Sequence, residues 1–422
     1  MDASVADLAA LLSPIPAAEF FARYWEKSPL VVARREPGRY AGLLGLADLD
    51  FVLAAAFQSQ ESGVELLGAG KSAGGKGADQ VAQIYEAYGQ GATVRVNRAQ
   101  RYWKPLSDVC RRLEHEFGAP VRANLYCSPA GAHFSERHYD NHDVLVLQLA
   151  GRKHWRVFDP VVSLPLADVP PLAFEERTGL LKYARGGPRK GRADIGVDEC
   201  GEPRLDFTLE AGDLLYMPRG FVHEAGAQGE ASLHVTIGLH VLTWLDLLSV
   251  ALARAGHRDE RFRTALPVRL ADGAQADARE HFATLLRAFA DGADFDGALG
   301  EVAASFVRNM QATTDGALMG DAARALDEDT SLEQRPGLVC RYVAEGGMAG
   351  LLSAQATLWM PESFGPALSF VAQTRAFRVR DLPGGMSDGG KLSLARRLVQ
   401  DGFLRIVETS RAETSGAAEL VS

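Results

Sequence analysis

The chain has 422 residues, 47% of them apolar and 23% charged, with a formal net charge of −9. That length exceeds one ordinary hydrophobic core, so two or three domains are expected, and the acidic balance excludes a molecule whose whole surface attracts nucleic acid. No uninterrupted apolar run approaches the roughly 20 residues of a membrane helix, and the acidic opening "MDASVADLAALLSPIP" has no basic n-region, so a soluble protein retained in the cytoplasm is expected.

Residues 1 to about 60 predict helices: "FFARYWEKSPLVV" ends at a Ser-Pro stop, and "LADLDFVLAAAF" carries apolar residues at helical spacing. The segment "GAGKSAGGKGADQ" reads as a loop. Its Gly-Lys-Ser at 70 to 72 lacks the glycine that a phosphate-binding loop places five positions before Gly70, where Glu65 stands. From about 92 to 245 the pattern becomes short strands: "ATVRVN", "VRANLYCSP", "DVLVLQLAG", "KHWRVFDP", "DLLYMPRG" and "LHVTIGLHVL". Gly, Pro, Asp and Asn separate them, the rhythm of a barrel or double-sheet jelly roll. Beyond 245 the strands largely disappear. "LDLLSVALARAG", "AREHFATLLRAFA" and "ALGEVAASFVRNM" predict amphipathic helices, and "KLSLARRLVQDGFLRIVE" a helix running into a strand. Cys110, Cys127, Cys200 and Cys340 are widely spaced with no CxxC pair, which argues against a disulfide framework or a thiolate zinc site and predicts buried thiols.

The chemistry concentrates in "RHYDNHDVLVLQLAGRKHW", where titratable groups crowd the edge of an apolar run. In a strand, His138 and Asp140 project to one face while Tyr139 points away. A third ligand is available in "GDLLYMPRGFVHEAG", where His223 falls just inside the strand that follows a Pro-Arg-Gly turn. Two histidines and a carboxylate form the facial set that holds non-haem iron(II); the same ligand types also suit zinc, and a polar loop beside a strand is the alternative to any metal. A second His-x-Asp, His257-Arg258-Asp259, lies in a polar stretch and reads as solvated surface. Alternation in "KHWRVF" puts Lys153 on the face of Trp155 and Val157. An ammonium so placed requires an anion, unless it reaches solvent at the strand end. A dicarboxylate such as 2-oxoglutarate would supply that anion.

"ANLYCSPAGAHFSERHYDNHDVLVLQLAGRKHWRVFDP" and "LEAGDLLYMPRGFVHEA" together resemble the JmjC-type ribosomal oxygenases. "FFARYWEKSPLVV" and "NRAQRYWKPLSDVCRRLEHEFGAPVRANLY" are similar to the same family. The resemblance implies an α+β chain built on a double-stranded β-helix of the cupin, or jelly-roll, type. It divides as a catalytic domain at 1–245, a helical dimerisation region at 246–325 and a winged-helix-like domain at 326–422. It implies that His138, Asp140 and His223 ligate iron and act catalytically, that Lys153 pairs with the distal carboxylate of 2-oxoglutarate, and that Asn124, Tyr126, Thr236 and His234 line that pocket. Dioxygen is then the oxidant, decarboxylation of 2-oxoglutarate to succinate drives the reaction, and a histidyl or arginyl side chain of a ribosomal protein is hydroxylated by a homodimer. A small ribosomally made peptide as substrate, lysine demethylation by the same iron chemistry, and a non-catalytic binding scaffold are the other readings. Asn141-His142-Asp143 and Glu136-Arg137 depart from the family pattern, on the side expected to admit substrate. Across the C-terminal region basic residues are nearly matched by acids, which favours a protein-interaction or structural role over nucleic acid binding.

Overall fold

The computed structural model describes residues 7–59, 63–68, 78–132, 137–166, 172–174, 181–183, 200–227, 229–267, 276–310, 312 and 325–407. The Gly-Lys-Ser at 70 to 72 and Glu136 lie outside them. The chain divides into two compact units, Met1–Val302 and Ala303–Ser422.

The first unit opens with helices α1 (Leu8–Leu12) and α2 (Ala17–Arg23), strand β1 (Leu30–Val32), helix α3 (Leu46–Gln58), β2 (Val64–Leu67), α4 (Ala78–Gly89), β3 (Thr93–Val96) and α5 (Lys104–Phe117). Then come β4 (Val121–Ser128), β5 (Asp143–Ala150), β6 (Arg152–Pro160), β7 (Leu172–Phe174), β8 (Leu181–Tyr183), β9 (Leu205–Glu210), β10 (Leu214–Met217), β11 (Phe221–Ala227) and β12 (Ser232–Leu239). Two antiparallel sheets carry the architecture, one ordered β1-β10-β5-β12-β4-β3-β2 and the other β11-β6-β9. The paired sheets form the double-stranded β-helix, or jelly roll, expected from the sequence.

The apolar run of β5 is continuous because both its faces are buried. Leu145 and Leu147 pack outward with Leu11, Phe20, Val52 and Leu113 from the helices. Val144 and Val146 point inward, where Val146 and Leu215 meet Trp155, Leu209 and Ala225, and Val144 and Met217 meet Val157 and Phe221. The site lies in this inner layer.

A buried polar cluster fixes the turn between β10 and β11. Arg219 Nη1 donates to Asp143 Oδ2 at 2.9 Å and to Glu26 Oε1 at 2.6 Å, and Tyr216 Oη donates to Asp143 Oδ1 at 2.7 Å. Trp25 stacks on Tyr216 and Phe20 meets it edge-on, which explains why the N-terminal "FFARYWEK" stretch belongs to the barrel. Gly220 follows with φ of +92°, and a Cβ there would lie 2.2 Å from the Val162 carbonyl oxygen, so only glycine fits.

Helices α6 (Trp244–Arg258), α7 (Ala276–Gly292) and α8 (Phe295–Asn309) follow the barrel. The second unit departs from the expectation that strands largely disappear. It contains β13 (Ser331–Gln334), β14 (Arg341–Glu345), β15 (Met348–Leu352), β16 (Thr357–Pro361), α9 (Gly365–Gln373), β17 (Ala376–Arg378), α10 (Asp388–Gln400) and β18 (Leu404–Ile406). These strands have three to five residues each, too few for alternation to register. Their core joins Leu332, Leu351, Leu368, Leu398 and Phe403. The cysteines are free, but only Cys110 is fully buried; the other three are partly exposed.

Removing one partner of a buried ion pair strands the other, at about 3–5 kcal/mol. Arg219→Ala is therefore expected to lower unfolding stability by that order in a urea titration. A change under about 1 kcal/mol would mean that the cluster does not hold the turn.

Candidate metal centre

Residues 137–142 do not form a ladder strand, contrary to the sequence expectation. His138 instead makes a single bridge with His223: its N–H donates to the His223 carbonyl at 3.2 Å, and the His223 N–H donates back at 2.8 Å. Two residues on, the Asp140 carbonyl accepts the Gly220 N–H at 2.9 Å. A bulge between Phe221 and His223 in the β6–β11 pairing places His223 at this junction.

The result is a compact donor set. One ligand atom each from His138, Asp140 and His223 lies within 4.8 Å of the other two, and His223 Nε2 stands 3.8 Å from Asp140 Oδ2. His223 Nδ1 is 3.2 Å from the Phe221 carbonyl; with the proton on Nδ1 it donates there and leaves Nε2 with a lone pair toward the carboxylate. Burial, reinforced by His138, lowers the His223 pKa to about 4, so the ring is neutral near pH 7, as a metal ligand must be. Burial alone would raise the Asp140 carboxyl, but the histidines around it, His142 first, outweigh that and hold its pKa down. Asp140 keeps 30% of its side chain exposed, so the set is open on one side. Two imidazoles and one carboxylate with an open sector suit a divalent first-row metal such as iron(II).

Lys153 behaves as the alternation of β6 predicts. It is only 6% exposed, on the face of Trp155 and Val157. Its Nζ donates to Ser128 Oγ at 3.2 Å and makes no ion pair among the described residues. Burial lowers its pKa to about 8, opposed only by the nearby Cys127 thiol. A buried ammonium that meets a hydroxyl and the Tyr126 ring but no carboxylate among the described residues fits an incoming carboxylate.

The four remaining predicted pocket residues share the inner face of the large sheet. In the β4–β12 register Asn124 lies opposite Thr236 and Tyr126 opposite His234, with the Tyr126 and His234 rings stacked at 4.7 Å. Asn124 Oδ1 accepts the Arg98 N–H at 3.0 Å. Burial raises the Tyr126 pKa and, aided by Lys153, drives that of His234 well down. Ser128, which sequence reasoning did not single out, was legible as the next same-face residue after Asn124 and Tyr126.

Two sequence readings change. Asp143 does not flank the open side of the set; it is fully buried with Arg219 and Tyr216. His142 stacks on His240 at 4.4 Å, a partner that no spacing had indicated, and Gly238 leaves room for it, since a Cβ there would be 2.6 Å from the His142 ring. His257-Arg258-Asp259 closes the exposed end of α6 and joins no ligand set among the described residues.

Residues 96–247 match the family model described as a JmjC domain. The chain is 31% identical over 320 residues to ribosomal oxygenase 1 of Gallus gallus, a match covering 71% of this chain and 50% of that protein. It is 32% identical over 297 residues to ribosomal oxygenase 2 of Rattus norvegicus, covering 67% and 59%. It is also 29% identical over 270 residues to the bifunctional lysine-specific demethylase and histidyl-hydroxylase NO66 of Aedes aegypti, covering 62% and 39%. The chain thus spans about half the length of the curated relatives it matches. Among solved structures, that of E. coli ycfD superposes with a TM-score of 0.54 at 18% identity, covering 93% of this chain and 98% of that one. YcfD in complex with cobalt and 2-oxoglutarate gives 0.51 at 17%, with the same coverage. At these identities the likeness is one of fold.

Removing His138 or Asp140 deletes a donor outright, a larger loss than the roughly 10–100-fold typical of outer partners. His138→Ala and Asp140→Ala are each expected to weaken cobalt(II) binding by more than about 100-fold in equilibrium titration. Wild-type affinity in either variant would dissolve the three-residue set.

Proposed function

This chain is a JmjC-domain protein related to the ribosomal oxygenases, and from that premise we propose that it is an iron(II)- and 2-oxoglutarate-dependent oxygenase. Its substrate is a ribosomal protein, hydroxylated at a histidyl or arginyl side chain. The observation that carries the reading is the pairing of an open His138–Asp140–His223 set with a buried lysine that has no anion among the described residues, in one inner layer of the barrel. A metal site alone fits zinc equally well; a metal site with a dry ammonium waiting for a carboxylate fits a keto-acid cosubstrate.

When bound, iron(II) with 2-oxoglutarate supplies the dioxygen-activating chemistry, and the protein supplies geometry. His138, Asp140 and His223 would hold the metal. With its proton on Nδ1, His223 donates to the Phe221 carbonyl and leaves Nε2 free for the metal. Lys153 orients the cosubstrate through its distal carboxylate, with Asn124, Tyr126, Thr236 and His234 forming the pocket wall. The inner apolar layer of Val146, Leu215, Trp155 and Val157 excludes water from the reacting centre.

Beyond the catalytic domain we place a dimerisation region at 246–325 and a winged-helix-like domain at 326–422, a finer division than the two compact units. Helices α6 and α7 leave Trp244 73% and Phe282 63% exposed, with Leu248 and Leu286 also open, the kind of apolar area that a second copy covers. The homodimer is built there. The C-terminal domain is winged-helix-like, and its ion pairs Arg378–Asp329 and Arg397–Asp401 offset the basic charge that nucleic acid binding would use. It serves protein interaction or structure.

Mass spectrometry of ribosomal proteins from cells with and without this chain tests the substrate. One protein is expected to lose the mass of a single oxygen atom at a histidine or arginine when the chain is absent; an unchanged set would reject a ribosomal substrate. Lys153 also sets a pH dependence. Below about pH 8 it is charged in the free protein and 2-oxoglutarate affinity is level. Above that the lysine must first regain its proton, so affinity falls by up to about tenfold per pH unit. Lys153→Ala is expected to bind weakly without that decline, and a wild-type profile in the variant would remove the lysine from the pocket. Trp244→Glu combined with Leu248→Glu is expected to give a monomer by light scattering where the wild type is a dimer.

A further inference from the structure

Three observations converge on Trp155. Its indole is only 5% exposed, and its Nε1 has no hydrogen-bond partner among the described residues. A buried N–H left unpaired is costly, so one that persists requires an explanation. Nor is it isolated. His234 Nδ1, on a ring 5.8 Å from the indole, is likewise buried and unpaired.

Position supplies the explanation. Along β6, Lys153, Trp155 and Val157 share one face, and the partner strand β11 sets Ala227, Ala225 and His223 opposite them in that order. Trp155 therefore sits between the lysine and the metal ligand, its ring 6.1 Å from that of His223. Val157, opposite His223, lies four residues from Lys153, about 13 Å along the strand, and Trp155 stands midway, so a ligand held between the metal set and the lysine side chain passes the level of the indole.

We propose that Trp155 is a cosubstrate-positioning residue whose indole N–H donates to an oxygen of the keto-acid ligand. The inference rests on the oxygenase reading and deepens it. Lys153 fixes the distal charge, and Trp155 supplies a directional donor along the length of the ligand, which one flexible ammonium cannot do. Packing and polarity then have separate jobs in one side chain: the ring fills the inner layer with Val146, Leu209 and Leu215, while the N–H serves the ligand.

Trp155→Phe keeps an aromatic ring in the layer and removes the donor. With zinc(II) in place of iron, so that no turnover occurs, 2-oxoglutarate affinity measured by calorimetry is expected to fall about tenfold, while zinc affinity stays at the wild-type value. The indole 1H–15N resonance of Trp155, assigned by its absence from the variant, is expected to shift downfield when 2-oxoglutarate is added to the zinc-loaded wild type. Lys153→Ala is run alongside. If Lys153→Ala loses affinity while Trp155→Phe binds as wild type and the indole resonance stays put, the Trp155 assignment fails and the oxygenase reading survives. If the wild type does not bind 2-oxoglutarate at all, both fail. Equal losses of zinc and 2-oxoglutarate affinity in Trp155→Phe would reduce the residue to packing and overturn the proposal.

Discussion

The pairing of Asp143 with Arg219 is the constraint on which the site depends. Asp143 starts β5, three residues after Asp140, and Arg219 lies in the middle of the β10–β11 turn, four residues before His223. One buried ion pair thus ties together the two chain segments that bring the donor set. Gly220, next to Arg219, holds the Asp140 carbonyl through its N–H, and the reciprocal bonds of His138 and His223 close the loop. The cluster extends outward through Glu26 and Tyr216 to the N-terminal helices. Its polar groups are inside because they set register, whereas the surrounding apolar layers supply most of the stability.

The inner layer divides two tasks between two sheets. The large sheet, covered by helices on its outer face, contributes Asn124, Tyr126, Ser128, His234 and Thr236 from neighbouring strands β4 and β12. The small sheet contributes Lys153 and Trp155 from β6 and His223 from β11. Because Val144, Val146, Val157 and Met217 pack the two sheets together, these polar groups lie within a buried layer in which charge is strongly felt. The same burial keeps His223 neutral and pushes the Lys153 ammonium toward its neutral form.

Much of this was legible in the sequence. Period-two alternation placed Lys153 beside Trp155 and Val157, and the six strand segments between 92 and 245 all form strands. The turn grammar of "GDLLYMPRG" placed His223 just inside the strand that follows. What alternation missed has physical causes. His138 and Asp140 come together through one bridge and a turn, a different geometry from the strand that the two-residue spacing predicts. Asp143 looked like a substrate-side departure because sequence does not reveal that its partner is Arg219, 76 residues away. The C-terminal strands were too short to show a period. Trp155 was visible only as core, since an unpaired N–H is a property of packing in three dimensions.

Anaerobic titration of the purified chain with iron(II) and 2-oxoglutarate tests the account most directly, because it needs no knowledge of the substrate. The visible charge-transfer absorption of an iron-chelated keto acid is expected in the wild type and absent in His223→Ala. Iron binding without that absorption, or no iron binding at all, would contradict the account and leave the barrel as a zinc site or a binding scaffold.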